Sequence, residues 1–232
     1  MMTDYNLIAL YQQALPFSPT YAAESGKEIE KGKKQTDIFH SKIEEKEKIM
    51  LQLLNELCLS KKMCSIYTNE KERGKFYYGT IIAVNEKEIA IGMLSPDGEE
   101  DGIMVIDVKK VIRVEIDGQY DAKMKKLCLQ NKNVLFNEKI DDTDILGSLL
   151  SFATAKKAVV SIEPLESGYF DIVGIISRIQ NDTCEIRQFD EYGFEDGISC
   201  VSIHDITTLC IMSEDEKRIC RLIEMNKENT LL

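Results

Sequence analysis

Two acidic stretches are the first places in this chain where chemistry could reside: Ser-Pro-Asp-Gly-Glu-Glu-Asp-Gly at 95–102 and Asp-Glu-Tyr-Gly-Phe-Glu-Asp-Gly at 190–197. The first holds four carboxylates and two glycines, the make-up of a loop that wraps a calcium ion. Counting from Asp97 puts Glu99 third, Asp101 fifth and Gly102 sixth, as such a loop requires. The twelfth position is Val108 where a bidentate glutamate is needed, and the second stretch has Tyr192 in place of Asp97. No metal is expected here. Both stretches keep glycine, one variable residue, then Glu-Asp-Gly-Ile, which reads as a hairpin turn followed at once by a strand.

Hydrolytic and redox chemistry find no better foothold. The only histidines are His40 and His204. Cys200 precedes His204 by four residues, but no second Cys/His pair completes a zinc site. Asp205 adjoins His204 on a turn, where neighbouring side chains diverge. Cys184, Cys200 and Cys210 sit among strand apolars, where cysteine acts as a small hydrophobe. No nucleophile elbow, phosphate loop or dinucleotide fingerprint is present. The expectation is a protein with no catalytic residues and no cofactor. Seven cysteines, an odd number with no C-x-x-C pair, are expected as free thiols in a reducing cytoplasm.

Nucleic acid is the stronger alternative. Lys61 and Lys62, then Lys71, Arg73 and Lys75 beside Phe76, Tyr77 and Tyr78, combine cations with aromatics as single-strand binders do. Of these, Lys61, Lys62, Lys71, Arg73, Lys75, Tyr77 and Tyr78 are the candidate contacts. Glu70, Glu72, Glu86 and Glu88 share the region, and strand aromatics commonly face a core. Residues 1–140 hold 21 Lys/Arg against 22 Asp/Glu, and residues 141–232 hold 8 against 18. A polyanion would be repelled by the second half of a chain whose net charge is −11, so only the first half could bind one.

Those residues must be positioned by repeated elements. A gapless shift of 95 sets Leu51 on Leu146, Leu54 on Leu149, Lys61 on Lys156, Gly79 on Gly174, Ile91 on Ile186 and Ile116 on Ile211. The second half therefore reads as a diverged copy of the first. Each copy opens with an amphipathic helix: 44–62 places Met50, Leu53, Leu54 and Leu57 on one face. Its counterpart is 142–157, with Asp142, Thr143 or Asp144 to cap it. Five short strands follow, with a glycine (Gly79 or Gly174) inside the second. A brief turn precedes the fifth, and a charged helix closes the copy. Five short apolar strands suit a small closed barrel, which would also remove exposed edges.

The fold class expected is α+β, mainly β with flanking helices: two tandem five-stranded barrels over 44–131 and 139–226. Residues 5–15 read as a short amphipathic helix, and the remainder of 1–43 as a polar linker. No stretch is apolar enough to span a membrane, and the N-terminus lacks the features of a secretory signal.

This order of elements resembles the Sm-like branch of the small SH3-like barrels. The resemblance covers about 44–128 and 139–224. It implies barrels that associate by pairing strands of neighbouring units, and in many members RNA binding. The turn that contacts RNA in that family carries Asp then Asn; here it is Asn-Glu-Lys-Glu (85–88) or Gln-Asn-Asp-Thr (180–183). The family's Arg-Gly pair is replaced by 106–110 and 202–206. The resemblance thus implies the fold more than the RNA site. The function expected is non-enzymatic: a cytoplasmic interaction or scaffold protein that binds protein partners or itself.

Overall fold

The computed structural model describes residues 45–69, 74–130, 140–165 and 169–230. The expected helix at 5–15, the linker to 43, His40, Lys71 and Arg73 lie outside the described residues. The chain divides into two compact units, Met1–Gln52 and Leu53–Leu232. Of the first, residues 45–52 are described, and they are helical.

The architecture is mixed α+β. A helix, α1, covers 45–60. Then come β1 (Met63–Tyr67), β2 (Tyr77–Val84), β3 (Glu88–Leu94), β4 (Glu100–Asp107), a 3₁₀ turn (Val108–Lys110), β5 (Arg113–Glu115) and α2 (Gln119–Gln130). The second half repeats the order with α3 (Ile145–Lys156), β6 (Val159–Pro164), β7 (Ile172–Gln180), β8 (Thr183–Phe189) and β9 (Glu195–Ser202). A 3₁₀ turn (Ile203–Asp205), β10 (Ile206–Ile211) and α4 (Glu214–Thr230) complete it. No described helix is long and apolar enough to cross a membrane.

Local chemistry sets these boundaries. The Asp144 side chain accepts from Gly147 N at 3.0 Å and caps α3, which ends at Lys157 in the left-handed region. Asp107 caps its 3₁₀ turn by accepting from Lys109 N. At α4, Asp215 N donates to Ser213 Oγ, while Ser213 N donates to Glu216 Oε2 at 2.8 Å; these reciprocal bonds make a capping box. Gly79 and Gly174 sit where the backbone of the neighbouring strand passes too close for a Cβ.

All ten strands form one antiparallel sheet in the order β5-β1-β2-β3-β4-β10-β6-β7-β8-β9. The order is linear, with no ladder joining its ends among the described residues. The expected closure, and with it the loss of strand edges, is therefore not what the sheet does: among the described residues β5 and β9 each have a partner strand on one side only. The two halves meet through β4 and β10, which pair Ile103–Ile106 with Ile211–Thr208. A hydrophobic core spans this junction, with Ala83, Ala90, Ile103 and Val105 from one half packed with Ile145, Leu149 and Leu209 from the other.

The halves correspond in element order and at several turns, with one adjustment of offset, while the turn after the second strand differs: Asn181 and Asp182 lie at φ 50 and 57, and Glu86 and Lys87 do not. From the second strand onward the offset of 95 holds. Gly98 and Gly193 share φ +79, Asp117 and Met212 lie at φ 59 and 60, and the bulge after Ile81 recurs after Ile176. In the helix and first strand the offset is 96. Lys61 matches Lys157 (φ 51 and 53), and Cys64 faces Gly79 as Val160 faces Gly174. Leu54 thus corresponds to Leu150 rather than Leu149. One residue fewer between the first two strands of the second half restores the register.

Candidate interaction surface

The junction between the halves shows what a strand edge in this molecule can hold. Beside the β4–β10 ladder, Lys110 Nζ pairs with Glu163 Oε2 at 2.7 Å and donates to Thr207 Oγ1 and Thr208 Oγ1 at 2.8 and 2.9 Å. Both charged side chains are nearly buried, 13% and 12% exposed. Charges this enclosed require their partners, because a lone buried charge is strongly disfavoured. The Asp101 carboxylate accepts from Glu214 N at 2.9 Å and so serves the N-terminus of α4 from the other half. Burial raises the Asp101 carboxyl above its ordinary range, against that hydrogen bond and the Lys217 charge, which lower it. Gly102, at φ +76, lies against Ile211–Ser213, where a methyl group would collide with the Ile211 carbonyl and Ser213 nitrogen.

The same junction seats α3. Leu146 N donates to Glu88 Oε2 at 3.0 Å, and Asn85 Nδ2 to the Asp142 carbonyl at 3.0 Å. Beneath the helix, Ala83 and Ala90 face each other across β2 and β3 and are fully buried. Their small size gives the apolar face of α3 a flat floor.

At the far end of the sheet, β9 repeats β4 with no strand on its outer side among the described residues. Ile103 is 1% exposed and its counterpart Ile198 is 65% exposed. Tyr192, Phe194 and Cys200 are also exposed there. Gly197 has open space around it where Gly102 has backbone. Asp196, the counterpart of Asp101, is exposed and has no hydrogen bond to its side chain among the described residues. The other end, β5, is short and charged. The Arg113 guanidinium stacks 3.6 Å from the Tyr67 ring centroid and lies 3.4 Å from Glu115, which accepts from Tyr67 Oη at 2.8 Å. Charged edge residues of this kind limit indiscriminate pairing.

Of the candidate nucleic-acid residues, Lys61 ends α1 and Lys75 is exposed in the approach to β2, but Lys62 pairs with Asp117 at 2.5 Å. Tyr77 and Tyr78 project to opposite faces, as strand alternation requires. Tyr78 is buried against Tyr120 (ring centroids 5.0 Å apart); burial, then the neighbouring Asp121 carboxylate, raise its phenol. Burial first, then Cys210 and Glu163, raise the Tyr77 phenol. Lys109 and Lys110 follow β4, and Lys110 is committed to the junction. Of the described members of the set, Lys62 is paired and Tyr78 is buried.

No protein-family model, no curated protein and no solved structure matches the chain.

The acidic loops form the expected turns: Gly98 N donates to the Ser95 carbonyl and Gly193 N to the Asp190 carbonyl. Among the described residues no group of three or more His, Cys, Asp or Glu side chains is gathered as a metal would need. His204 is exposed, 4.0 Å from Asp182. All seven cysteines are free. Burial pushes the Cys64 thiol up to about 12 and that of Cys184 to about 11, and it raises Cys210 as well, helped by Glu216. Thiols held this high carry almost no thiolate at neutral pH and make poor nucleophiles.

Sequence reasoning missed the junction residues. Ser213 and Glu216 carry a readable signal, the Ser-x-x-Glu spacing of a capping box. Lys110, Glu163 and Asp101 carry none, since their roles depend on which strands become neighbours.

Proposed function

We propose that this chain is a non-enzymatic interaction protein made of two fused, diverged Sm-like units. It acts through the two strand edges left at the ends of its sheet, which join it to protein partners or to a second copy of itself. The observation that carries this reading is the junction itself: the fourth strand of one half pairs with the fifth strand of the other, while the outer fourth and fifth strands stay open. Fusion has turned one such contact into an intramolecular one, which raises its effective concentration.

The Sm-like assignment is supported by the five-strand order β5-β1-β2-β3-β4 repeated as β10-β6-β7-β8-β9, by the second-strand glycines and by the 3₁₀ turn before each last strand. RNA binding has less support, because Tyr78 is buried and Lys62 is paired.

Light scattering on the full chain across a range of concentrations tests the proposal. A mass rising above the 26.4 kDa of one chain is expected. A mass fixed at one chain, together with no capture of a strand-donating peptide, removes it.

A further inference from the structure

The β3–β4 and β8–β9 turns share one backbone plan and carry different side chains. In the first, Asp97 N and Glu99 N donate to Ser95 Oγ, both at 3.3 Å. In the second, Tyr192 N and Phe194 N donate to Asp190 Oδ1 at 3.0 and 2.8 Å. The glycine between them lies at φ +79 in both. Tyr192 and Phe194 are the counterparts of Asp97 and Glu99, so the turn closes around carboxylates as well as around rings. Neither ring is needed to form it. Yet the two residues are 64% and 58% exposed, and Met225 of α4 is exposed too. Asn226 Nδ2 donates to the Tyr192 carbonyl at 3.0 Å, which ties the turn to α4 beside Met225. Aromatics held in water at a fixed position, with no part in forming the turn, mark a contact surface. We propose that this turn docks an arginine-bearing peptide segment of a protein partner, whose guanidinium stacks on Tyr192 or Phe194 and pairs with Glu191, Glu195 or Asp196.

The other end of the sheet contains such a contact in complete form. There the Tyr67 hydroxyl donates to Glu115 at 2.8 Å. The Arg113 guanidinium lies 3.6 Å from the Tyr67 ring centroid and 3.4 Å from the Glu115 carboxylate. Tyrosine, glutamate and arginine form one set. At the β8–β9 turn the first two recur, since hydrogen bonding to Glu191 and then its charge raise the Tyr192 phenol. No cation of this chain supplies the third. Among the described residues none stands over the Tyr192 or Phe194 ring, and Glu191, Glu195 and Asp196 have no ion-pair partner.

Charge selects a cationic occupant. Residues 190–197 carry four carboxylates and no Lys or Arg. The second half as a whole holds 18 Asp/Glu against 8 Lys/Arg, a field that draws in a basic segment and repels an acidic one. The first-half turn spends Asp101 on the N-terminus of α4, whereas its counterpart Asp196 is exposed. Arginine fits better than lysine, because a planar, weakly hydrated guanidinium lies flat on a ring and still meets a carboxylate in its plane. The site goes beyond the strand edges invoked above, and filling it adds no strand to the sheet.

Fluorescence anisotropy tests this with the full chain and a fluorescein-labelled decapeptide of alternating arginine and alanine, beside the same peptide with lysine. Saturable binding of the arginine peptide is expected, and weaker binding of the lysine peptide. The decisive variant gives the turn its first-half residues, Tyr192→Asp with Phe194→Glu. A turn with those residues already forms at 95–102, and the exchange adds two carboxylates to a net charge of −11. Affinity for the arginine peptide is expected to fall about tenfold, the worth of one or two ring–guanidinium contacts. Equal or tighter binding by the variant means attraction by charge alone and overturns the proposal, as does equal affinity for the two peptides. Binding of neither peptide overturns it as well, and self-association lost in the same variant then assigns the turn to a second copy. A chain that binds the arginine peptide while sedimenting at one-chain mass upholds the site and counts against the strand edges alone.

Discussion

β4 and β9 are nearly the same strand. Both begin Glu-Asp-Gly-Ile, both follow a glycine turn at φ +79, and both pair on one side with the third strand of their half. Only the other side differs. β4 has β10 alongside, and its isoleucine is buried; β9 has no strand there among the described residues, and its isoleucine is exposed. Burying an isoleucine is worth about 1.5–3 kcal/mol, so the bare strand retains a driving force that the covered one has already used. What distinguishes an interface from a surface here is the neighbour, since the strand composition is shared.

The sharpest way to break the comparison is at the paired glycines. Gly102 and Gly197 both sit at positive φ, and an alanine at either meets a backbone cost of about 1–3 kcal/mol. Only Gly102 also faces the Ile211 and Ser213 backbone. Gly102→Ala is therefore expected to cost about 4 kcal/mol, since the junction must open to admit the methyl group. Gly197→Ala should cost only the first part. Denaturant unfolding of both variants measures the gap, and equal losses would mean that the close approach at Gly102 contributes nothing.

The next effect in size belongs to the ion pair that ties the halves. Glu163→Ala leaves the Lys110 ammonium among Thr207 and Thr208 with no anion, in surroundings that admit little water. A loss of about 2–3 kcal/mol is expected, at the lower edge of the range for broken buried pairs because some exposure remains. The contrast is Arg178–Glu185, whose arginine is 62% exposed over its side chain; Glu185→Ala there should change stability by less than about 1 kcal/mol. Similar losses at the two sites would show that the junction does not enclose its charges.

Much of the fold was legible in the sequence because strands and caps are local. Gly79 and Gly174 fall inside the second strand of each half as expected, and Asp144 is one of the three caps foreseen for α3. The register slip in the helix and first strand was not legible. A shift of 95 aligns Leu51 with Leu146 as plausibly as 96 aligns Met50 with it; only the left-handed Lys61 and Lys157 and the Cys64–Gly79 pairing choose. The candidate site was less legible still. Asp101 looked like one of four loop carboxylates, and its service to α4 depends on a strand pairing formed across more than a hundred residues. The linear sheet had the same cause, because hydrophobic alternation specifies that a strand has a buried face without specifying its edge partner.

The smallest effect would strengthen the bare end. Ala83 and Ala90 form the floor under α3, and the corresponding Arg178 and Glu185 raise a charged, bulky pair in its place. Replacing both with alanine removes a surface ion pair of little worth to folding. It also gives a neighbouring copy's α1 an apolar floor; Leu53, half-buried where its counterpart Leu149 is 1% exposed, is the residue with area left to cover. The double variant is expected to fold with unchanged stability and to self-associate a few-fold more tightly, about 1 kcal/mol, roughly the worth of one methylene group removed from water. Sedimentation of the variant beside the wild type measures it. Tighter association would identify the charged pair as the element that keeps the outer edge weaker than the junction, whereas weaker association would mean that Arg178 or Glu185 itself contacts the neighbour and that the outer contact departs from the internal one.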